Sequence, residues 1–342
     1  MNAAALPFGQ TLSATVWYCE HQGEAWGDLR SARLDDVAVP LAGPALQYGL
    51  SVFEGLKAYR AADGSVHLFR PLDHAQRLRV SAERLGLPAV PESLFLRACA
   101  ELTQMLIDEI PAHGCGALYL RPTVYALDQT LGLRPATRHG FAVIGNPCLD
   151  PPFKTLSLWA EPDLIRAAPG GLGGIKTAAN YAAGLGGLLR ARSRGFDDVL
   201  WLDAATHRWL GEAGSMNVFA EIDGLLVTPP LDGTILPGVT RAAVLNLAPQ
   251  MGIQVTERAL SLDELAQAAG AGRLGSLFGT GTASRVVSIN RIANADVVIA
   301  AGSDATARRV YDRLKYRQET ADALDLPVAA ASADALCASL VR

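Results

Sequence analysis

No two cysteines in this chain are spaced to clip a small scaffold or to hold a metal. The five present, Cys19, Cys99, Cys115, Cys148 and Cys337, are odd in number, far apart and never in a C-x-x-C pair. That usage reads as free thiols in a reducing compartment, against a disulfide framework or a zinc site. The six histidines are equally isolated, so no metal is expected. A basic excess is missing too. The 30 Lys and Arg stand against 34 Asp and Glu, for a net charge of -4, and they are scattered along the chain, so nucleic acid is not an expected partner. No uninterrupted apolar run is long enough to cross a bilayer, and residues 1–10 lack the basic start of a secretory signal. The expectation is a cytoplasmic protein with no membrane partner.

The 342 residues are half hydrophobic and 19% charged, a composition that buries a core. Length favours two domains. The best boundary is 146–152, NPCLDPP, where three prolines in a short span resist helix and sheet. This predicts a small domain over 1–145, a linker over 146–153 and a large domain over 154–342.

In the first part, VWYCEHQGEAW reads as a strand and hairpin. A second strand ends at Ala58-Tyr59-Arg60, and Asp63-Gly64 makes a tight turn before VHLF. Leu72, Ala75, Leu78, Ala82 and Leu85 recur at helical spacing after Pro71, and Gly86 closes the run. A second helix carries Leu94, Phe95, Ala98 and Leu102, and ALYLRPTVY and HGFAVIGN alternate like strands. In the second part, KTLSLWA, DDVLWLD, MNVFAEI and GLLVT read as short strands. Helices are expected after Lys176, after Pro237-Gly238, over SLDELAQAAG and over DATARRVYDRLKYRQETADAL. The alanine-rich end, VAAASADALCASLVR, has no evident packing partner. The fold class is α+β.

Lys176 follows a glycine-rich approach, GGLGGI, and precedes a helix. Most lysines are solvated surface charges, but burial among Gly, Ile, Thr and Ala favours a neutral, nucleophilic amine. The segment only superficially resembles a phosphate-binding P-loop, because Ile175 separates glycine from lysine. One helix and one strand later Glu212 stands alone between glycines in LGEAG. An amine and a fixed carboxylate are what pyridoxal phosphate requires: a Schiff-base partner for its aldehyde and an anionic partner for its pyridinium nitrogen. Two turns would suit the phosphate. Val239 and Thr240 open a helix, where free N–H groups favour an anion, and Gly279-Thr280-Gly281-Thr282-Ala283 would form a nest-like turn. Each reads equally well as an ordinary cap or connector. Arg77 would add positive charge, although an isolated helical arginine is usually solvated.

Taken in order, QYGLSVFEGLKAYR, FRPLDHAQRLRVSAERLGL, LYLRPTVY, GGLGGIKTAANY, DDVLWLD, GEAGSMNVF, TPPLDGTILPGVTR and FGTGTAS resemble the branched-chain amino acid aminotransferases, of the fold-type IV pyridoxal phosphate enzymes. The resemblance runs from Val16 to about Tyr316. It implies a small N-terminal domain, a larger one with a barrel-like core and flanking helices, a homodimer, and transfer of an amino group from Leu, Ile or Val to 2-oxoglutarate. It makes Lys176 the catalytic amine, with Glu212 on the ring nitrogen and Tyr181 on the phenolate oxygen. Arg77, Val239, Thr240 and Thr282 would hold the phosphate, with Ser215 a further cofactor contact where threonine is common. Tyr119 and the amides of Thr282 and Ala283 would take the substrate α-carboxylate. Tyr48 and Phe53 would line the side-chain pocket, and Arg121 would meet the distal carboxylate of glutamate or 2-oxoglutarate.

The loop NPCLDPPFKT is shorter than the family's usual interdomain loop, and SRVV lacks the cysteine pair of some animal members, so no thiol switch is expected. The alternatives kept open are a same-fold aminotransferase for an aromatic or non-proteinogenic amino acid, a D-amino acid aminotransferase, an aminodeoxychorismate lyase and a non-catalytic binding protein.

Overall fold

The computed structural model describes residues 7–150 and 152–328. The alanine-rich end from Ala329 on, Cys337 and Pro151 of the expected linker lie outside the described residues. The chain clusters into two compact units. One comprises Met1–Asp150, Lys176–Ala179 and Arg317–Arg342, the other Pro151–Ile175 and Asn180–Tyr316.

The first unit is built on a sheet of β1 (Thr15–Gln22), β2 (Ala25–Trp26), β3 (Arg30–Arg33), β4 (Ser51–Phe53), β5 (Leu56–Arg60), β6 (Val66–Leu68), β7 (Gly116–Ala126) and β8 (Arg138–Leu149). A short helix α1 (Pro44–Gln47) precedes β4, and α2 (Pro71–Arg84) and α3 (Glu92–Met105) lie between β6 and β7. Neighbours run β6-β5-β7-β8-β1-β2, with β3 on β1 and β4 on β7. Proline at the first position starts α2 with its fixed φ and no lost donor, and Gly86 ends the turn at φ +68°. Leu78 and Ala82 of α2 and Phe95 and Leu102 of α3 are buried in one core with Leu56, Leu118, Leu120 and Phe141.

Two expectations need correction. Pro147 does not break the chain into a linker; it sits within β8 opposite Leu118. The pairing of β8 with β1 ends at Ile144, so Pro147 has a strand ladder on one side only and its missing N–H costs little. Residues 317–328 group with the first unit and not with the second. Leu326 and Pro327 pair with Leu68 and His67, and Arg317 donates to Asp325 at 2.7 Å.

The second unit contains β9 (Thr155–Ala160), β10 (Asp198–Leu202), β11 (Leu210–Ala213), β12 (Met216–Ile222), β13 (Leu225–Thr228), β14 (Val255–Glu257), β15 (Leu274–Gly281), β16 (Arg285–Ala293) and β17 (Val298–Ala300). Its helices are α4 (Ala178–Ser193), α5 (Val239–Gln250), α6 (Leu262–Gly270) and α7 (Ala305–Glu319), of which α4 starts and α7 ends in stretches grouped with the first unit. The order β11-β10-β9-β16-β15-β12 closes on itself through a β11–β12 pairing, giving a six-stranded barrel. Leu158, Leu200, Val218, Leu277, Val287 and Ile289 are buried in its core, as expected for a barrel small enough to be filled by side chains. The register partners Phe219 and Phe278 stack at 5.1 Å.

In α4 the small and polar residues are the ones turned inward. Tyr181, Leu185 and Leu189 are exposed, while Asn180, Gly187 and Ala191 are buried. Gly187 explains this: a Cβ there would lie 2.3 Å from the Trp201 ring, so the glycine face is the one that packs closely.

Candidate active site

Within the first unit, strand alternation places Tyr119, Arg121 and Thr123 of β7 on one face, and Phe53 pairs with Thr123. Arg121 donates to the Tyr119 hydroxyl from Nε at 3.2 Å and Nη2 at 2.9 Å, and lies 4.6 Å over the Phe53 ring. The Lys176 ammonium group lies 4.7 Å over the same ring. Gly55 makes room for this cluster, because a Cβ there would meet the Tyr119 hydroxyl at 2.0 Å. Tyr48 is not part of it. That side chain is exposed, and its hydroxyl donates to the Leu131 carbonyl.

The backbone of Lys176 is pinned on both sides: its N–H donates to Ser81 Oγ at 3.0 Å, and its carbonyl accepts from Phe53 N–H at 3.0 Å. Burial, then the nearby Arg77 cation, press its amine down from 10.5 to about 8, with Glu54 opposing. The residue as a whole keeps partial solvent access, while burial destabilises the amine as a cation. Arg77 is clamped by Glu54, which is fully buried and also accepts from His74. Glu54, His74 and Ser81 were not singled out from the sequence. The available signal was a glutamate inside the apolar run SVFEGLKAY.

Within the second unit, Glu212 of β11 is buried and ion-paired with Arg166. Its Oε1 accepts from Asn217 Nδ2 and Leu236 N–H, each at 3.3 Å. Asn217 is the cross-strand partner of both Glu212 and Thr280. It also donates to the Leu236 carbonyl at 2.9 Å. Gly238, which caps α5, packs so closely on Asn217 that a Cβ would lie 2.0 Å from its Oδ1. Asn217, missed in the sequence, thus ties Glu212 to the loop that opens α5 at Val239 and Thr240 and to the strand that leads to Thr282 and Ala283. A cavity of about 330 Å³ in this unit brings Tyr181, Glu212 and Ser215 together with Arg166 and Asn180. Val239, Thr240, Thr282 and Ala283 do not line it.

Among the described residues, Cys19, Cys99 and Cys115 are free. Among the described residues no helix is long and apolar enough to cross a membrane.

A closed barrel presenting a buried, ion-paired glutamate, in a chain whose pinned lysine is pressed toward neutrality, is the equipment of a fold-type IV pyridoxal phosphate enzyme. The residues fit that cofactor: the amine, the carboxylate in its cavity and the buried, unpartnered Thr280 hydroxyl beside the α5 entry are each of the required chemistry. Residues 51–292 match the family described as Amino-transferase class IV. The chain is 38% identical over 296 residues to branched-chain-amino-acid transaminase 1 of Bacillus subtilis, covering 85% of this chain and 83% of the relative. It is 38% identical over 283 residues to the branched-chain-amino-acid aminotransferase of Mycolicibacterium smegmatis, covering 80% and 76%. Among solved structures, the branched-chain amino acid aminotransferase of Escherichia coli superposes with a TM-score of 0.75 at 25% identity, over 90% of this chain and 96% of that one. The chain belongs to the class IV aminotransferases and, within them, to the branched-chain-amino-acid aminotransferase family.

Proposed function

We propose that the chain moves the amino group of leucine, isoleucine or valine to 2-oxoglutarate, giving the branched 2-oxo acid and L-glutamate. The observation that carries this reading is the Phe53, Tyr119, Arg121 and Lys176 cluster. An aromatic wall suits an apolar side chain and a planar guanidinium suits a carboxylate, so one pocket can take both substrates in turn.

When bound, pyridoxal phosphate supplies an aldehyde that accepts the amino group and a ring that draws electrons from the bond being broken. Lys176 is the amine that engages it and then holds or returns a proton at Nζ; an amine titrating near 8 can do both close to neutral pH. Glu212 holds the proton at the ring nitrogen, and Tyr181 donates to the phenolate oxygen. Arg77, Val239, Thr240 and Thr282 hold the phosphate, with Ser215 a further contact. Tyr119, with the amides of Thr282 and Ala283, takes the α-carboxylate; Phe53 faces the side chain, and Arg121 takes the distal carboxylate.

A homodimer and a cytoplasmic location belong to the same proposal. Support for the first is exposed apolar side chains on each unit, Leu131 and Leu133 on one and Leu185 and Leu189 on the other, and for the second the free thiols of Cys19, Cys99 and Cys115. The test is a half-reaction: load the protein with pyridoxal phosphate, add single amino acids and follow loss of the visible band. Bleaching by L-leucine, L-isoleucine, L-valine and L-glutamate is expected. Bleaching by glutamate without those three would overturn the substrate assignment and leave the chemistry standing.

A further inference from the structure

Glu54 follows β4 and has no solvent exposure, and a carboxylate taken that far from water persists only if its lone pairs are met. They are. Arg77 donates from Nε to Oε1 at 2.6 Å and from Nη2 to Oε2 at 2.9 Å; His74 Nδ1 donates to Oε2 at 2.6 Å, and the Gly55 N–H donates at 3.0 Å. Burial pushes the His74 imidazole down, so it donates as a neutral ring, while Arg77 and His74 hold the Glu54 carboxyl well below the usual range despite its burial. The pair is asymmetric. Glu54 is closed off completely, whereas the Arg77 side chain keeps 10% exposure.

Helical spacing does the rest. His74, Arg77 and Ser81 fall on one face of α2, and Ser81 Oγ donates to the Arg77 carbonyl at 2.8 Å while accepting from the Lys176 N–H. One buried face therefore sets the plane of the Arg77 guanidinium and the backbone position of Lys176. Two parallel N–H···O bonds fix an arginine in plane and direction, which a lone point charge does not.

Resting on the proposed function, we propose that Glu54 is the positioning residue for anion recognition: by fixing the Arg77 guanidinium it lets this site distinguish a phosphorylated pyridoxal from the unphosphorylated aldehyde. Its charge offsets that of Arg77, so discrimination comes from direction and not from excess positive charge.

The experiment strips the full chain of cofactor and measures, by absorbance, the dissociation constants of pyridoxal 5'-phosphate and of pyridoxal for the wild type, Glu54→Gln and Glu54→Asp. Glu54→Gln keeps the shape and removes the charge, turning an N–H toward donors; Glu54→Asp keeps the charge and withdraws the fork by one methylene. Both are expected to lower the preference for the phosphorylated form about tenfold, mostly through weaker binding of that form. A general loosening would weaken both ligands alike and leave the ratio unchanged, and that result would overturn the proposal. So would a ratio that rises in Glu54→Gln, which would mean that Glu54 merely masks charge. If neither variant folds, as judged by circular dichroism, Glu54 is a core residue and the proposal fails. Failure of the wild type to bind pyridoxal phosphate at all would instead sink the parent reading of the site.

Discussion

Each unit holds a buried glutamate against an arginine, and the two carboxylates differ in how far they are closed off. In the first unit Glu54 has no exposure, and Arg77 keeps a little. In the second, Glu212 and Arg166 both line the cavity, and Arg166 also donates to the Thr234 carbonyl at 2.9 Å. The chemistry of the pair is the same. What differs is the setting of the carboxylate: Glu54 is sealed from solvent, whereas Glu212, on a barrel strand, borders a cavity together with its arginine. A buried ion pair adds little net stability, so both are better read as devices for holding one charge in one direction.

The largest effect tests the amine that the first pair acts upon. Lys176→Ala is expected to abolish turnover and the visible band of the loaded protein together; an active, yellow variant would break the whole comparison. Next comes the carboxylate of the second pair. Glu212→Gln keeps the shape and removes the charge, and a fall in kcat on the order of 10²–10³ is expected, as for loss of one preorganised electrostatic group. Single-turnover kinetics with L-leucine would check this, and a loss confined to KM would show that Glu212 only assists binding.

Arg166, the cation of the second pair, should behave as a holder. Arg166→Met strands the Glu212 carboxylate without its cation, which costs about 3 kcal/mol by the behaviour of broken buried pairs. Urea unfolding of the cofactor-free chain would read it. A change under about 0.5 kcal/mol, the level of ordinary surface substitutions, would show that water reaches Glu212 and that the pair is not a holder.

Much of this was legible in the sequence, and the gaps have physical causes. The helix over Pro71–Arg84 announced itself by apolar spacing, a proline start and a glycine stop, because those signals are local. Lys176 and Glu212 stood out for the same reason, as charges set among glycines and apolar residues. Glu54 did not, since its value depends on two donors 20 and 23 residues away on a helix. Asn217 was hidden in the same manner, its partners lying on two different strands and a loop. Pro147 misled because proline forbids only one hydrogen bond, and whether that bond was needed depends on where the neighbouring strand ends. Closure of the barrel rests on the β11–β12 pairing, and no periodicity announces it.

A pH-dependent effect reads the surroundings of the amine that the first pair acts upon. Lys176 titrates at 10.5 when unfolded and about 8 when folded, lowered first by burial and then by Arg77. Below about 8 the amine is charged in both states and the folded chain bears the full penalty. Between about 8 and 10.5 the unfolded chain binds the extra proton, so stability rises with pH across that window. In Lys176→Met the penalty is absent at every pH. The variant is therefore expected to melt above the cofactor-free wild type at pH 7, with the gap narrowing toward pH 10. A gap that stays constant would show that the amine is solvated in the folded chain. Arg77 would then act on the phosphate alone, and the first pair would have no influence on the amine.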